Sequence, residues 1–84
     1  MIKACEATDP QSCFNRALDD EMMFVLLARD IVAPRLVRMW VLERIAYGKN
    51  KWGDKQITEA LECADRMEHQ QAAGIRDRAR MANA

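Results

Sequence analysis

The sequence contains few of the residues that interrupt regular structure. Its 84 residues include only three glycines and two prolines, so long regular elements are expected. It also has no excess of charge of either sign, because 13 lysines and arginines balance 13 aspartates and glutamates. A neutral chain argues against general binding to nucleic acid or to a membrane surface, since such binding depends on many contacts between cations and phosphates.

Residues for common catalytic and metal-binding chemistry are scarce. The single serine, Ser12, and the single histidine, His69, lie far apart in the chain, so no nucleophile with a nearby base is evident. Cys5, Cys13 and Cys63 form no Cys-x-x-Cys pair, and their spacing with His69 matches no standard zinc site. We therefore expect reduced cysteines, no metal, no cofactor and no enzymatic activity.

Long apolar runs are also lacking. The sequence has no window of about 18 uncharged apolar residues that could span a membrane, and no apolar run near its start typical of a signal peptide. Half of the residues are nevertheless hydrophobic and 31% are charged, the balance of a folded soluble domain. We expect a single small intracellular domain over residues 1–84, without membrane contact and with flexible ends at 1–8 and 75–84.

Large apolar residues concentrate between Phe24 and Tyr47. Asp30 as N-cap, Pro34 in the first turn and Gly48 as C-cap glycine predict a helix over about 31–47. At 100° per residue, its apolar side chains surround the axis and therefore need cover on nearly every side. A chain this small cannot supply that cover from two other helices, so the sequence predicts a homo-oligomer.

A second long helix is predicted over about 55–73, between Asp54 as N-cap and Gly74 at its end. Its core face carries Ile57, Leu61, Ala64, Met67 or Glu68, and Gln71. The linker of residues 49–54 is short, so the two helices should lie antiparallel, with Trp52 expected to fold back and close the hairpin.

The N-terminal third gives weaker signals. Asp9 followed by Pro10 predicts a short helix over about 10–18. Residues 23–29 fit either the alternation of a strand or one face of a helix, and Asp30 as a following N-cap favours the strand. A single strand would need a symmetry mate to pair with. The predicted fold class is mainly α, with this strand left open.

Arginines near the start of the first long helix suggest an anion site. Residues 34–53 carry five basic groups and one acidic group, whereas residues 54–73 carry two basic and five acidic groups. Arginine forks and the N–H groups of a helix start both suit phosphate or carboxylate, and aromatic rings offer a stacking surface. The predicted ligand-binding residues are Phe24, Arg29, Asp30, Arg35, Arg38 and Trp40, with Asp30 orienting the helix start.

A structural interpretation of the same residues competes with the anion site. Arg35 and Arg38 would then pair with acidic residues of the second long helix, and Trp40 would belong to the core. The acidic residues in question are Glu59, Glu62 and Asp65.

Residues 20–40 follow the pattern D-E-x-x-F-x-L-x-A-R-D-x-x-A-P-x-x-V-x-x-W, and an E-A…A..M-E helix follows at 59–68. This arrangement resembles a group of small uncharacterised proteins encoded by bacteriophages and prophages, although Met22 and Ile31 stand where that group often has proline. Small phage proteins of this kind often counter host defences, and a recurrent type is a compact homo-oligomer that sequesters a nucleotide-derived immune signal between subunits. The resemblance implies a cytoplasmic location in an infected or lysogenic bacterial host.

Two other functions fit the residues. An apolar helix face could dock on a host protein, as in an inhibitor or adaptor. A small DNA-associated protein could use the basic arm at residues 74–84, with an affinity that falls steeply with salt.

Overall fold

A computed structural model describes residues 1–82 and contains five helices and no strand within them. The helices are α1 (Lys3–Thr8), α2 (Cys13–Arg16), α3 (Ala33–Ala46), α4 (Lys55–Ala72) and α5 (Ile75–Ala82). The mainly α fold class is confirmed. Residues 83 and 84, the end of the predicted flexible segment 75–84, lie outside the described residues.

The antiparallel pair of α3 and α4 forms the core of the molecule. Val41 on α3 packs with Ile57 and Ala60 on α4, and all three side chains are buried. Half-buried Val37, Ile45 and Leu61 extend this cluster. Both helices begin and end within two residues of the predicted bounds.

Glycines end both long helices. Gly48 has φ of 69°, a left-handed conformation that lets the Gly48 N–H donate to the Ile45 carbonyl and the Lys49 N–H donate to the Arg44 carbonyl. This pair of bonds is the Schellman motif, which satisfies carbonyls left open at a helix end. Gly74, with φ of 85°, ends α4 in the same conformation.

A polar network closes the hairpin. The Asn50 side chain accepts a bond from Arg44 Nε at 2.7 Å and donates to Asp54 Oδ2 at 3.0 Å. Asp54 Oδ2 also accepts from the Lys51 N–H at 2.9 Å, and these two donors lower the pKa of the Asp54 carboxyl, the Lys51 N–H most. Trp52, which is predicted to fold back and close the hairpin, is instead exposed. The polar network closes the linker in its place.

The start of α3 differs from the prediction that Asp30 is its N-cap. The cap position is Val32, and Asp30 lies in a turn just before it. Asp30 Oδ1 accepts from the Val32 N–H at 3.1 Å, and the Asp30 carbonyl accepts from the Ala33 N–H at 3.0 Å. Asp30 therefore accepts hydrogen bonds from backbone amides at the helix start, although it lies two residues before the N-cap position.

The predicted helix at about 10–18 with Asp9 as its cap is wrong in its bounds. Ser12 is the N-cap of α2, because its Oγ accepts from the Asn15 N–H at 3.2 Å. Asp9 instead ends α1 and accepts from the Gln11 N–H in the turn between the two helices. Residues 3–8, which lie within the end expected to be flexible, form α1.

The strand favoured for residues 23–29 is also wrong, and so is the helical alternative. Residues 22–27 have no regular structure and residues 28–29 form a turn. A single extended segment has no ladder of backbone hydrogen bonds without a neighbouring strand, and the described chain offers none.

The outward side of α3 stays exposed in the single chain. Leu36, Met39, Trp40, Leu42 and Tyr47 are all exposed. The cover that the sequence requires for α3 is thus only partly supplied by α4, and the homo-oligomer remains a prediction.

Candidate functional site

The predicted ligand-binding residues separate into different parts of the molecule. Phe24 is 87% exposed and lines an open concavity of about 420 Å³ beside α2. Arg29 lines a second open concavity of about 340 Å³ between the turn before α3 and helices α4 and α5. Asp30 is exposed in that turn, and the other three residues lie on α3.

Arg38 joins α3 to α4. Its guanidinium donates to Asp65 Oδ1 at 2.8 Å and to Glu68 Oε1. These two bonds raise the pKa of Arg38, the bond to Glu68 most. Arg38 therefore follows the structural interpretation, which expected a partner at Asp65. Its cationic group is occupied by carboxylates of its own chain.

The turn that carries Arg29 is fixed by Gln71 of α4. The Gln71 side-chain amide donates to the carbonyls of Ala28 and Asp30, both at 2.9 Å. The flanking backbone is closed by the Asp30 N–H, which donates to the Leu27 carbonyl at 3.0 Å. Sequence reasoning missed this role, although a glutamine on the core face of α4 indicates a polar group that needs partners.

The concavity beside Arg29 has a mostly apolar wall. Its lining consists of Leu27, Ala28, Arg29, Gln70, Ile75, Ala79 and Ala82. The Arg29 guanidinium forms no ion pair or hydrogen bond within residues 1–82. A single cation without a carboxylate partner beside an apolar wall suits a small ligand with an anionic group and an apolar body.

Arg35 and Trp40 lie on the exposed part of α3. Arg35 likewise forms no ion pair within the described residues, so the expected pairing with α4 does not occur there. Trp40 keeps 40% of its surface exposed, and the Arg44 guanidinium lies over its ring at 5.6 Å from the centroid. Trp40 is thus a cation–π partner of Arg44 with one side open.

The start of α3 has fewer open N–H groups than the sequence predicted for an anion site. Asp30 already accepts from the Val32 and Ala33 amides, and Pro34 has no N–H. An anion near this helix start would therefore depend mainly on arginine side chains.

The remaining side chains that could ligate a metal are dispersed in the part of the chain that the structure describes. No three His, Cys, Asp or Glu side chains of residues 1–82 come close enough to hold a metal ion. Half-burial raises the pKa of the Cys63 thiol, which makes this thiol less reactive than an exposed one.

Comparison of the chain with protein-family models, with characterised proteins and with solved structures found no match. The resemblance of roughly residues 20–70 to small phage proteins therefore stays a prediction. Among residues 1–82, none of the helices combines the length and the apolar character needed to cross a membrane.

Proposed function

We propose that this chain is a non-enzymatic, homo-oligomeric phage accessory protein that binds and sequesters a small anionic, nucleotide-derived signal of host defence. The observation that carries this proposal is the presentation of Arg29. The Gln71 side chain donates to the carbonyls of the residues on either side of Arg29 and so fixes its turn. The Arg29 guanidinium has no carboxylate partner within residues 1–82. An apolar concavity lies beside it.

Sequestration requires tight binding without a chemical reaction, and the site contains groups suited to binding an anionic ligand. A guanidinium binds phosphate through two parallel hydrogen bonds, and the flat apolar body of a base can rest on an apolar or aromatic surface. Phe24 and Trp40 are exposed rings that offer such a surface. The concavity beside Arg29 is open, so a ring supplied by a neighbouring copy would enclose the ligand.

The test is native mass spectrometry of the protein before and after incubation with an extract of bacteria whose defence response has been activated. We expect a discrete oligomer that gains a small mass in whole increments, one for each pocket. Arg29→Ala should lose that gain while keeping the oligomer. Arg66→Ala, which removes an arginine from the exposed surface of α4, should keep both.

A gain of mass that is unchanged in Arg29→Ala would refute the site, and an oligomer that gains nothing small would refute sequestration. The second outcome would favour the other candidate function, docking on a host protein. The specific observation in favour of docking is that five of the six apolar residues 22–27, all except Leu26, are exposed. In that case a host protein and not a small molecule would be retained by the assembly.

A further inference from the structure

The outer side of α3 carries an exposed apolar strip. Its members are Val32, Leu36, Met39, Leu42 and Ala46. They recur every three or four residues, so at 3.6 residues per turn they form a band about 120° wide that runs along the helix and is centred on Met39. This band faces away from Val41, which packs on α4, and it remains exposed in the single chain.

Two opposite charges flank the centre of this strip. Arg35 and Glu43 are both exposed, and neither forms an ion pair within residues 1–82. They lie eight residues apart, or about 12 Å along the axis, with Met39 midway between them. Around the helix they are displaced by about 40° to either side of Met39.

A two-fold rotation about an axis at Met39 exchanges the two ends of the strip and brings groups of opposite charge together. A two-fold axis beside Met39 brings the α3 helix of a second copy alongside in the antiparallel direction, so that Arg35 of each copy lies opposite Glu43 of the other. The same operation places Leu36 opposite Leu42. A parallel pairing would instead oppose like charges, Arg35 to Arg35 and Glu43 to Glu43, which costs stability.

We propose that two copies of this chain pair through the outer faces of antiparallel α3 helices, about a two-fold axis at Met39, with two symmetric Arg35–Glu43 ion pairs. Such an isologous contact forms the same ion pair twice, gives each of the four charges one partner, and covers the apolar strip on both copies. The inference deepens the proposed function, on which it rests for the expectation that the protein works as an assembly. In this pairing Arg35 forms the contact between copies, and Arg29 remains available to bind the ligand.

The test is a pair of charge-reversal variants, Arg35→Glu and Glu43→Arg, followed by sedimentation equilibrium. Each variant alone opposes like charges at both symmetric positions, so its dissociation constant for this contact should rise by about tenfold to a hundredfold. An equimolar mixture restores both opposite-charge pairs between the two variants. The mixture should therefore regain the mass of the original assembly as a complex with equal numbers of each variant.

A matched pair of substitutions tests the apolar centre. Met39→Asp places two carboxylates beside the two-fold axis and should abolish the contact. Met81→Asp makes the same change at an exposed methionine of α5 and should leave the assembly intact. Circular dichroism should give the original helix content for both variants, because both side chains are exposed in the single chain.

Three results would overturn the pairing: an original assembly with an odd number of copies, charge variants that assemble as the original does, or a mixture no heavier than its components. A heavier species that forms only with a different protein would assign the strip to that protein. Ligand capture is read separately, as the mass gain that Arg29→Ala loses, so failure of the pairing and failure of sequestration are distinguishable.

Discussion

The hairpin of residues 33–72 and the N-terminal segment of residues 1–32 are stabilised by different means. The buried apolar residues of the described chain lie in the hairpin: Ala33, Val41, Ile57, Ala60 and Ala64. The segment has one buried side chain, the polar Ser12, while its large apolar residues other than half-buried Leu26 are exposed, Phe14 and Phe24 among them. The hairpin therefore completes a core within one chain, whereas the apolar residues of the segment are available for contacts beyond it.

Hydrogen bonds take the place of a core in the N-terminal segment. The Asn15 side-chain amide donates to the carbonyls of Glu6, Ala7 and Asp9 at 2.8 to 3.2 Å, and Ser12 Oγ donates to the Glu6 carbonyl at 2.6 Å. These bonds fix α2 against α1. Exposed hydrogen bonds contribute about 1 kcal/mol each, so the segment should open more readily than the hairpin.

The largest effect is expected from Ile57→Ala in the hairpin core. Ile57 has no exposed surface, so the substitution removes buried carbon and leaves a cavity, lowering the free energy of unfolding by about 2–5 kcal/mol. Met22→Ala, at a residue with 94% of its surface exposed, should change it by no more than about 0.5 kcal/mol. Urea denaturation measures both, and equal losses would remove the distinction between the two regions.

A smaller and local effect is expected from Asn15→Ala. Loss of the Asn15 amide should lower the local opening free energy of α1 and α2 by about 1–2 kcal/mol, because its two N–H groups, shared among three carbonyls, contribute about 1 kcal/mol each. Hydrogen exchange should therefore speed up at the amides of α1 and α2 and stay unchanged in α3 and α4. Faster exchange throughout the hairpin would mean that the N-terminal segment and the hairpin fold as one unit.

A loss of about 1 kcal/mol is expected from Gly48→Ala at the end of α3. Gly48 has φ of 69° and open space around the site of an added Cβ, so the cost is conformational. Gly53→Ala is the matched control, because Gly53 has the same open space without a positive φ. The control should be neutral or slightly stabilising in thermal unfolding, and an equal loss at both positions would contradict the Schellman assignment.

The smallest effect concerns the pH dependence of the hairpin linker. The pKa of Asp54 is lowered in the folded chain by the Lys51 N–H and the Asn50 amide, so its carboxylate stabilises the fold above the unfolded pKa. That contribution disappears as the pH falls through the lower folded pKa. Asp54→Asn should therefore be less stable than the original at neutral pH and equally stable in strong acid, as read from urea midpoints. A difference that persists in acid would exclude this linkage.

Signals local to the chain were sufficient to predict the hairpin. Gly48 and Gly74 end their helices because the left-handed conformation at each end costs glycine little. Asp54 occupies the N-cap position of α4 as predicted, but its carboxylate accepts from Asn50 and Lys51 and makes no cap hydrogen bond to α4. Pro34 lies in the first turn of α3. These features are set by residues close to each helix end, so they can be predicted from the sequence.

Features that depend on distant residues were not predictable in the same way. The turn at Arg29 is set by Gln71, more than 40 positions later. The short helices α1 and α2 depend on Asn15, which looks like an ordinary polar residue in the sequence. Arg38 could be placed in an anion site or in an ion pair until α4 put Asp65 and Glu68 beside it.

The central claim is that apolar surface left open by the hairpin is covered by a second copy of the same chain. Sedimentation equilibrium of the purified protein over a range of concentrations tests it most directly. We predict a mass that is an even multiple of the 9.7 kDa chain. A species of 9.7 kDa at every concentration would contradict the claim, because the outer face of α3 would then be stable in water without cover.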